Sequence, residues 1–304
     1  MPGLSLIVNP AAGRGRARDL LPAATAALIA AGAQFEVAES ASLAHAAELA
    51  AAAAAAGSVI VAVGGDGMAG ALAAAAARLS CPFGILPAGR GNDLARVLGI
   101  PVGPADAARL LASGPTRQID LIGVSVAGQP EAIVAGSVYL GVPSVAGEIA
   151  NSTRWLRGPA VYTLAALRAV ARWHPAAFSL HGTGGVHDFA GYAVVIANSA
   201  YFGAGMRVAP PAVIDDGQLD LVLMRHGPKL TFLRALTRIK DGSHVSLDLI
   251  SLDRESDLTL TVDRPMPVAA DGETIPFAAP LPAAMPIRIR VLPGALTVIA
   301  PPAA

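Results

Sequence analysis

An acid set among glycines at the end of an apolar run is the most chemically suggestive stretch of this chain. Val61-Ala62-Val63-Gly64-Gly65-Asp66-Gly67-Met68 reads as a buried strand, a tight turn and the opening of a helix. Glycines let backbone approach a ligand closely, and the free amides of a helix's first turn bind phosphate. Asp66 puts negative charge where phosphate would lie, which makes chemical sense when a divalent cation joins the two. The same glycines also suit a ligand-free βα turn, although two of them flanking an acid exceed what a turn requires. A second loop, Leu86-Pro87-Ala88-Gly89-Arg90-Gly91-Asn92-Asp93-Leu94-Ala95-Arg96, again follows a strand and leads into a helix that Asn92 or Asp93 would cap. A third, Asn9-Pro10-Ala11-Ala12-Gly13-Arg14-Gly15-Arg16, follows the first strand. It lacks the closing Gly-Lys-Ser/Thr of a P-loop, and Arg18 stands where a dinucleotide fingerprint has its third glycine. Further on, Asp215-Asp216-Gly217-Gln218-Leu219-Asp220 reads equally well by itself as an acidic turn, and Ala270-Asp271-Gly272-Glu273 by itself reads better as a hairpin turn, Asp271-Gly272 being a good turn pair.

These loops need elements to hold them. Residues 1–120 alternate short strands (Leu4 to Val8, Gln34 to Ala38, Ser58 to Val63, Phe83 to Leu86) with helices. The helices are expected over Arg16 to Ala31, Ser42 to Ala56, Met68 to Leu79, Asn92 to Leu98 and Ala105 to Ser113. Such alternation predicts βαβ units around a parallel sheet, with ligands at the carboxyl ends of the strands. From Ile119 onward, β-like runs follow one another: Ile119 to Val126, Glu131 to Leu140, Ala176 to His181, Tyr192 to Asn198, Leu219 to Met224, Leu258 to Val262, Pro267 to Ala270 and Ile287 to Leu292. Helical stretches near Trp155 to Trp173 and Pro228 to Lys240 interrupt them. The expected fold is an α/β N-terminal domain, Rossmann-like with a parallel sheet and flanking helices, followed by a β-rich, sandwich-like C-terminal domain. The boundaries fall at 1–120 and 121–294, with a last strand in 295–304 compatible with a return to the first domain.

Taken in order, Asn9-Pro10 with Gly13, Gly64-Gly65-Asp66-Gly67, Gly89-x-Gly91-Asn92-Asp93-Leu94-Ala95-Arg96, Asp215-Asp216-Gly217-Gln218-Leu219-Asp220 and Asp271-Gly272-Glu273 resemble the catalytic domain of diacylglycerol kinases. That family includes sphingosine kinases and bacterial lipid kinases, and the resemblance spans nearly the whole chain. It implies ATP and Mg2+ in a cleft between a nucleotide-binding domain and a lipid-substrate domain. The implied reaction moves the γ-phosphate to a lipid hydroxyl, with diacylglycerol the first expectation and a long-chain base the second. The implied nucleotide contacts are Asn9, Gly13, Ser40, Gly64, Gly65, Asp66, Gly67, Met68, Gly89, Arg90, Asn92 and Asp93. Glu273 matches the general base, and Asp66, Asp120 and Asp271 match acids that organise magnesium and water. A second, structural metal would fall on Asp216 with the backbone oxygens of Val213 and Gln218. Met68 and Arg90 replace threonines, and Gly70-Ala71 replaces an Asn-Glu pair. An arginine at position 90 is itself suited to phosphate. NAD kinases share Gly-Gly-Asp-Gly, so a kinase of a soluble acceptor is one alternative and a catalytically silent binder another.

Composition trims the remaining classes. The 304 residues are 54% hydrophobic and 14% charged, with a mean hydropathy of +0.55, which excludes whole-chain disorder. Much of the apolar excess is alanine, and the best spanning candidate, Ala46 to Val63, contains Glu48 and Gly57 and reads as helix plus strand. Twenty-two basic residues balance 22 acidic ones, which gives no support to nucleic-acid binding. One cysteine, Cys81, excludes an internal disulfide framework. The start carries no charged region ahead of its first apolar run, so a cytoplasmic protein is expected, peripheral at most to the inner face of the membrane that holds its lipid. The mixture of Arg154, Trp155, Leu156, Arg157, Tyr162, Arg168, Arg172 and Trp173 reads either as an interface-seating helix or as a core helix with arginines on its wet face. The six histidines show no zinc-ligand spacing.

Overall fold

The structure, a computed structural model of the chain, describes residues 3–152, 159–203, 205–275 and 280–303. Two compact units emerge. The first comprises Met1–Leu121, Gly203–Gly205 and Pro293–Ala304; the second comprises Ile122–Phe202 and Met206–Leu292.

In the first unit, the strands β1 (Leu4–Val8), β2 (Phe35–Glu39), β3 (Val59–Gly64) and β4 (Phe83–Pro87) alternate with α1 (Arg16–Ala30), α2 (Leu43–Ala55) and α3 (Asp66–Arg78). Two shorter helices follow, α4 (Asp93–Val97) and α5 (Pro104–Ser113). All strand pairs are parallel, in the order β2-β1-β3-β4. The continuous apolar runs of β1, β3 and β4 are buried throughout, as strands covered on both faces require. Alanines make α3 slim enough to lie close on the sheet: Ala69, Ala73, Ala74 and Ala76 are all buried. Ser42 caps α2, its Oγ accepting from the His45 amide at 3.1 Å. The registers Val8↔Glu39, Val8↔Val63 and Gly64↔Pro87 bring all four strand ends to one edge, and the glycine loops leave from that edge.

The strands β5 (Thr116–Val126) and β15 (Ile287–Ile299) each run from one unit into the other. At its far end β15 joins the parallel sheet, Val298 pairing with Phe83.

The second unit is antiparallel. It contains β6 (Ala132–Val134), β7 (Ser137–Gly141), α6 (Val142–Ser152), α7 (Pro159–Arg172), β8 (Ala176–Gly182) and β9 (Val186–Ala197). These are followed by β10 (Leu219–Arg225), α8 (Lys229–Arg238), β11 (Ile250–Glu255), β12 (Asp257–Val262), β13 (Val268–Ala270) and β14 (Glu273–Thr274). Long β9 is the hub: its first half pairs with β8, and its second half with β7 and β10. The core here is mainly aliphatic but carries several aromatics, among them Phe178, Tyr192 and Phe232. Tyr192 stacks on Phe232 at 4.2 Å and donates its hydroxyl to Gly227 O at 2.6 Å.

Two expectations need correction. The run Glu131 to Leu140 is two strands, broken at Ala135-Gly136 because the amides there turn to a side chain, described below. The sequence reading also passed over α6 and β11. Of the two readings of the arginine-rich helix, the core one holds at Trp173, which is 8% exposed and donates its indole N–H to Gly191 O at 3.0 Å, while Arg168 and Arg172 are exposed. Arg154, Trp155, Leu156 and Arg157 lie outside the described residues, as does the side chain of Tyr162. Among the described residues, no helix is long and apolar enough to cross a membrane.

Candidate active site

The three loops of the first unit interlock through backbone contacts that only glycine allows. A Cβ on Gly13, whose φ is +60°, would sit 2.3 Å from Ala88 O, so the first loop rests directly on the second. A Cβ on Gly89 would sit 2.5 Å from Gly65 Cα, so the second rests on the turn after β3. Gly64 lies against Met68, whose Cβ would be 2.8 Å from an added one; Met68 is 2% exposed. Its side chain therefore packs inward, and its backbone amide is what it offers at the helix opening.

Gly67 differs from these. It lies in the first turn of α3, is exposed, and a Cβ there would meet nothing within 4 Å. Neither positive φ nor internal packing requires a glycine at this position, which costs a helix about 1 kcal/mol relative to alanine.

Asp66 fixes the second loop. Its Oδ2 accepts from the Asn92 amide at 3.0 Å and its Oδ1 from the Asp93 amide at 2.5 Å. The sequence assigned the capping of α4 to Asn92 or Asp93. Instead Asn92 sits in the left-handed region (φ 53°) and turns its side chain back, accepting from Gly89 N at 2.8 Å and donating to Gly89 O at 3.1 Å. The helix opening is left to Asp66, from another loop. Asp93, itself buried, accepts from Gly205 N at 2.7 Å. Arg90 is exposed, and its side chain has no hydrogen bond or ion pair among the described residues, a free cation on the second glycine loop.

At the same strand edge, the Asn9 side chain accepts from Ala11 N at 3.1 Å, and buried Ser40 donates its hydroxyl to Val8 O at 3.0 Å. Arg18 forks onto Glu39, with Nε–Oε1 3.0 Å and Nη2–Oε2 2.8 Å, and holds that carboxyl below its ordinary range. This pairing explains why an arginine occupies the place of a third glycine. Asp120 is buried and accepts from Gly294 N at 2.7 Å.

The second unit contributes an acidic hairpin. Ala270 pairs with Glu273 across Asp271-Gly272, two residues at φ 47° and 94°, the backbone of a tight two-residue turn. Asp271 is clamped by three successive amides: Oδ2 accepts from Ala135 N at 3.1 Å, Oδ1 from Ser137 N at 2.8 Å, and both from Gly136 N at 3.1 Å. A Cβ on Gly136 would come within 2.6 Å of Asp271 Oδ1. The sequence reading missed this clamp; a glycine inside a β-like run was its one signal, since such a glycine marks close backbone approach. Glu273 is exposed, with no hydrogen bond or ion pair from its side chain among the described residues. Asp271→Asn keeps a residue that tolerates positive φ but exchanges one acceptor oxygen for an N–H donor facing amides. It is expected to destabilise the fold by about 2–3 kcal/mol, measurable by urea unfolding.

Asp216 accepts from Gln218 N at 3.1 Å and lies 3.2 Å from Arg254 Nη2; Val213 is exposed. Arg254 also reaches Asp220, where burial pushes the carboxyl above its ordinary range and the guanidinium opposes that. A cation at this turn would have to share Asp216 with Arg254. Among the described residues, no three histidine, cysteine or acidic side chains gather as a metal cage.

Comparisons with known proteins bear on both units. The family model described as "Diacylglycerol kinase catalytic domain" matches residues 3–124, and "YegS C-terminal NAD kinase beta sandwich-like domain" matches residues 136–300. A Mycobacterium tuberculosis protein named "Diacylglycerol kinase" is 33% identical over 256 residues, covering 83% of this chain and 80% of its own. A Chromohalobacter salexigens protein named "Probable lipid kinase YegS-like" is 29% identical over 250 residues, 80% and 76% of the two chains. A solved diacylglycerol kinase structure from Bacillus anthracis shares the fold at a TM-score of 0.72 and 20% identity, covering 99% of this chain and 97% of that one. With one model spanning more than half of its residues and a relative one-third identical over most of its length, this chain belongs to the diacylglycerol kinase family of lipid kinases, which are phosphotransferases.

Proposed function

We propose that this chain transfers the γ-phosphoryl group of ATP to the hydroxyl of a membrane-resident lipid, diacylglycerol in the first instance. The observation that carries the nucleotide half is Gly67: an exposed helix-opening glycine, beside an acid, without an internal reason to be glycine. In this reading the amides of Gly67 and Met68 meet phosphate oxygens. Gly65 and Gly89 give the loops their close approach, and Arg90 adds a cation that can fork onto phosphate. Asn9, Gly13, Ser40, Asn92 and Asp93 shape the loops, and Asp66 holds the second loop to the turn after β3.

Magnesium bound to the nucleotide would neutralise charge on the transferring phosphoryl group. The donors present suit that ion rather than a metal caged by protein, because Mg2+ keeps water and phosphate oxygens and takes only one or two carboxylates. Asp66 is the carboxylate that would supply such a ligand. Glu273 takes the proton of the acceptor hydroxyl: it is exposed, acceptor-only when ionised, and its Oε atoms are not committed elsewhere among the described residues. Asp271 acts through geometry, its clamped carboxylate fixing the hairpin that carries Glu273. Asp120 fixes the strand segment at Gly294.

Incubation with γ-labelled ATP and, separately, diacylglycerol vesicles, a long-chain base, NAD or no acceptor tests the proposal. Label is expected in the diacylglycerol product. Label in NAD would make the chain a kinase of a soluble acceptor, and nucleotide binding without transfer to any acceptor would make it a silent binder.

A further inference from the structure

The charges of this neutral chain are unevenly placed. Between Glu148 and Asp188 the sequence contains no acid, and between Asp220 and Asp241 again none. These acid-free segments hold α7 and α8, and both lysines of the chain, Lys229 and Lys240, fall in or beside α8. The start of α8 touches the end of α7: Lys229 Nζ donates to Ala171 O at 2.7 Å. Phe232 and Ala235 anchor α8 in the core, which turns Leu230, Arg234 and Arg238 to solvent. On α7, buried Ala165, Ala169 and Val170 likewise turn Leu167, Arg168 and Arg172 outward. The acid that follows α8, Asp241, is engaged with the amide and hydroxyl of its own Ser243.

The exposed leucines set this face apart from an ordinary wet helix surface. Leu230 is 63% exposed and Leu167 48% exposed, each with cations one to five residues away. A polyanion such as nucleic acid would use the cations and gain nothing from leucines. A lipid bilayer uses both, the cations for its anionic headgroups and the leucines for the acyl boundary. We propose that the outward residues of α7 and α8 dock together on an anionic lipid surface. The inference goes beyond the transfer reaction and rests on this surface alone.

Co-sedimentation of the full chain with vesicles tests it, without nucleotide. Binding to vesicles of phosphatidylcholine mixed with phosphatidylglycerol, with little binding to phosphatidylcholine alone, is expected. Each cation near such a surface contributes about 1 kcal/mol, or about fivefold in partitioning, so Arg234→Gln with Arg238→Gln should weaken binding about 25-fold. Leu230→Ser should weaken it several-fold with charge unchanged. Both variants alter exposed side chains, and unchanged circular dichroism and melting show that they fold. Equal binding to both vesicle types would overturn the proposal, as would wild-type binding by both variants, or a loss confined to binding of duplex DNA or RNA. Because vesicle binding needs no phosphoryl transfer, loss of the docking face and failure of the kinase reading are separately visible.

Discussion

Glu273→Gln is expected to lower the turnover number for lipid phosphorylation by about a thousandfold while leaving the melting temperature within a degree or so of wild type. General-base catalysis contributes about 10²–10⁴ in rate, and an amide of the same shape cannot take the proton. The fold should not register the change, because Glu273 is exposed on a two-residue strand and its carboxylate binds nothing else among the described residues. Nucleotide affinity should also be untouched. Full activity in the variant would remove Glu273 from the base role. An equal loss of stability and turnover would make it a structural residue. Comparison with Asp271→Asn sharpens the test, since the clamped neighbour should lose stability first and activity as a consequence.

Gly67→Ala should move stability and function in opposite directions. Alanine is the better helix former by about 1 kcal/mol, nothing lies within 4 Å of the added methyl, and the backbone there does not need positive φ. The variant is therefore expected to be more stable than wild type by about 0.5–1 kcal/mol in urea unfolding. If phosphate lies against the first turn of α3, the same methyl stands between backbone and ligand, and kcat/KM for ATP should fall about 10–100-fold, equivalent to about 1.4–2.7 kcal/mol of transition-state binding. A variant that gains stability and keeps full activity would show that the glycine is not there for a ligand. The opposite signs make the result hard to confuse with general damage, which lowers both.

Much of the first unit was legible because its code is local. A β-branched run, a glycine turn and an alanine-rich helix each declare themselves within a dozen residues, and their alternation implies the parallel sheet. The loop residues could be picked out for the same reason, but their partners could not. Asp66 looked like a phosphate-side acid because its sequence neighbours are glycines; that it holds the amides of Asn92 and Asp93 is a contact across 26 and 27 positions, with no local trace. Asp271 is the stronger case, its clamp lying about 135 positions earlier in a segment that reads as one unbroken strand. Trp173 left two readings open for the converse reason. An aromatic among arginines suits an interface or a core, and what decides for the core is a backbone carbonyl that meets its N–H, which only the tertiary structure supplies.

The discontinuity of the first unit sets an order on its birth. Beyond β4 its sheet continues onto Val298, which pairs with Phe83, and Asp93 takes an amide from Gly205, so two of its parts are synthesised long after its first four strands. While those parts are still to come, β4 stands as an open edge and the loop after it lacks one of its ties. Domains usually fold as they emerge, N-terminal first. Here the glycine loops would reach their final shape among the last elements to do so, once the intervening antiparallel unit has been made. A ribosome-bound chain halted before Pro293 should therefore be protease-sensitive in its N-terminal third, however long it is held there.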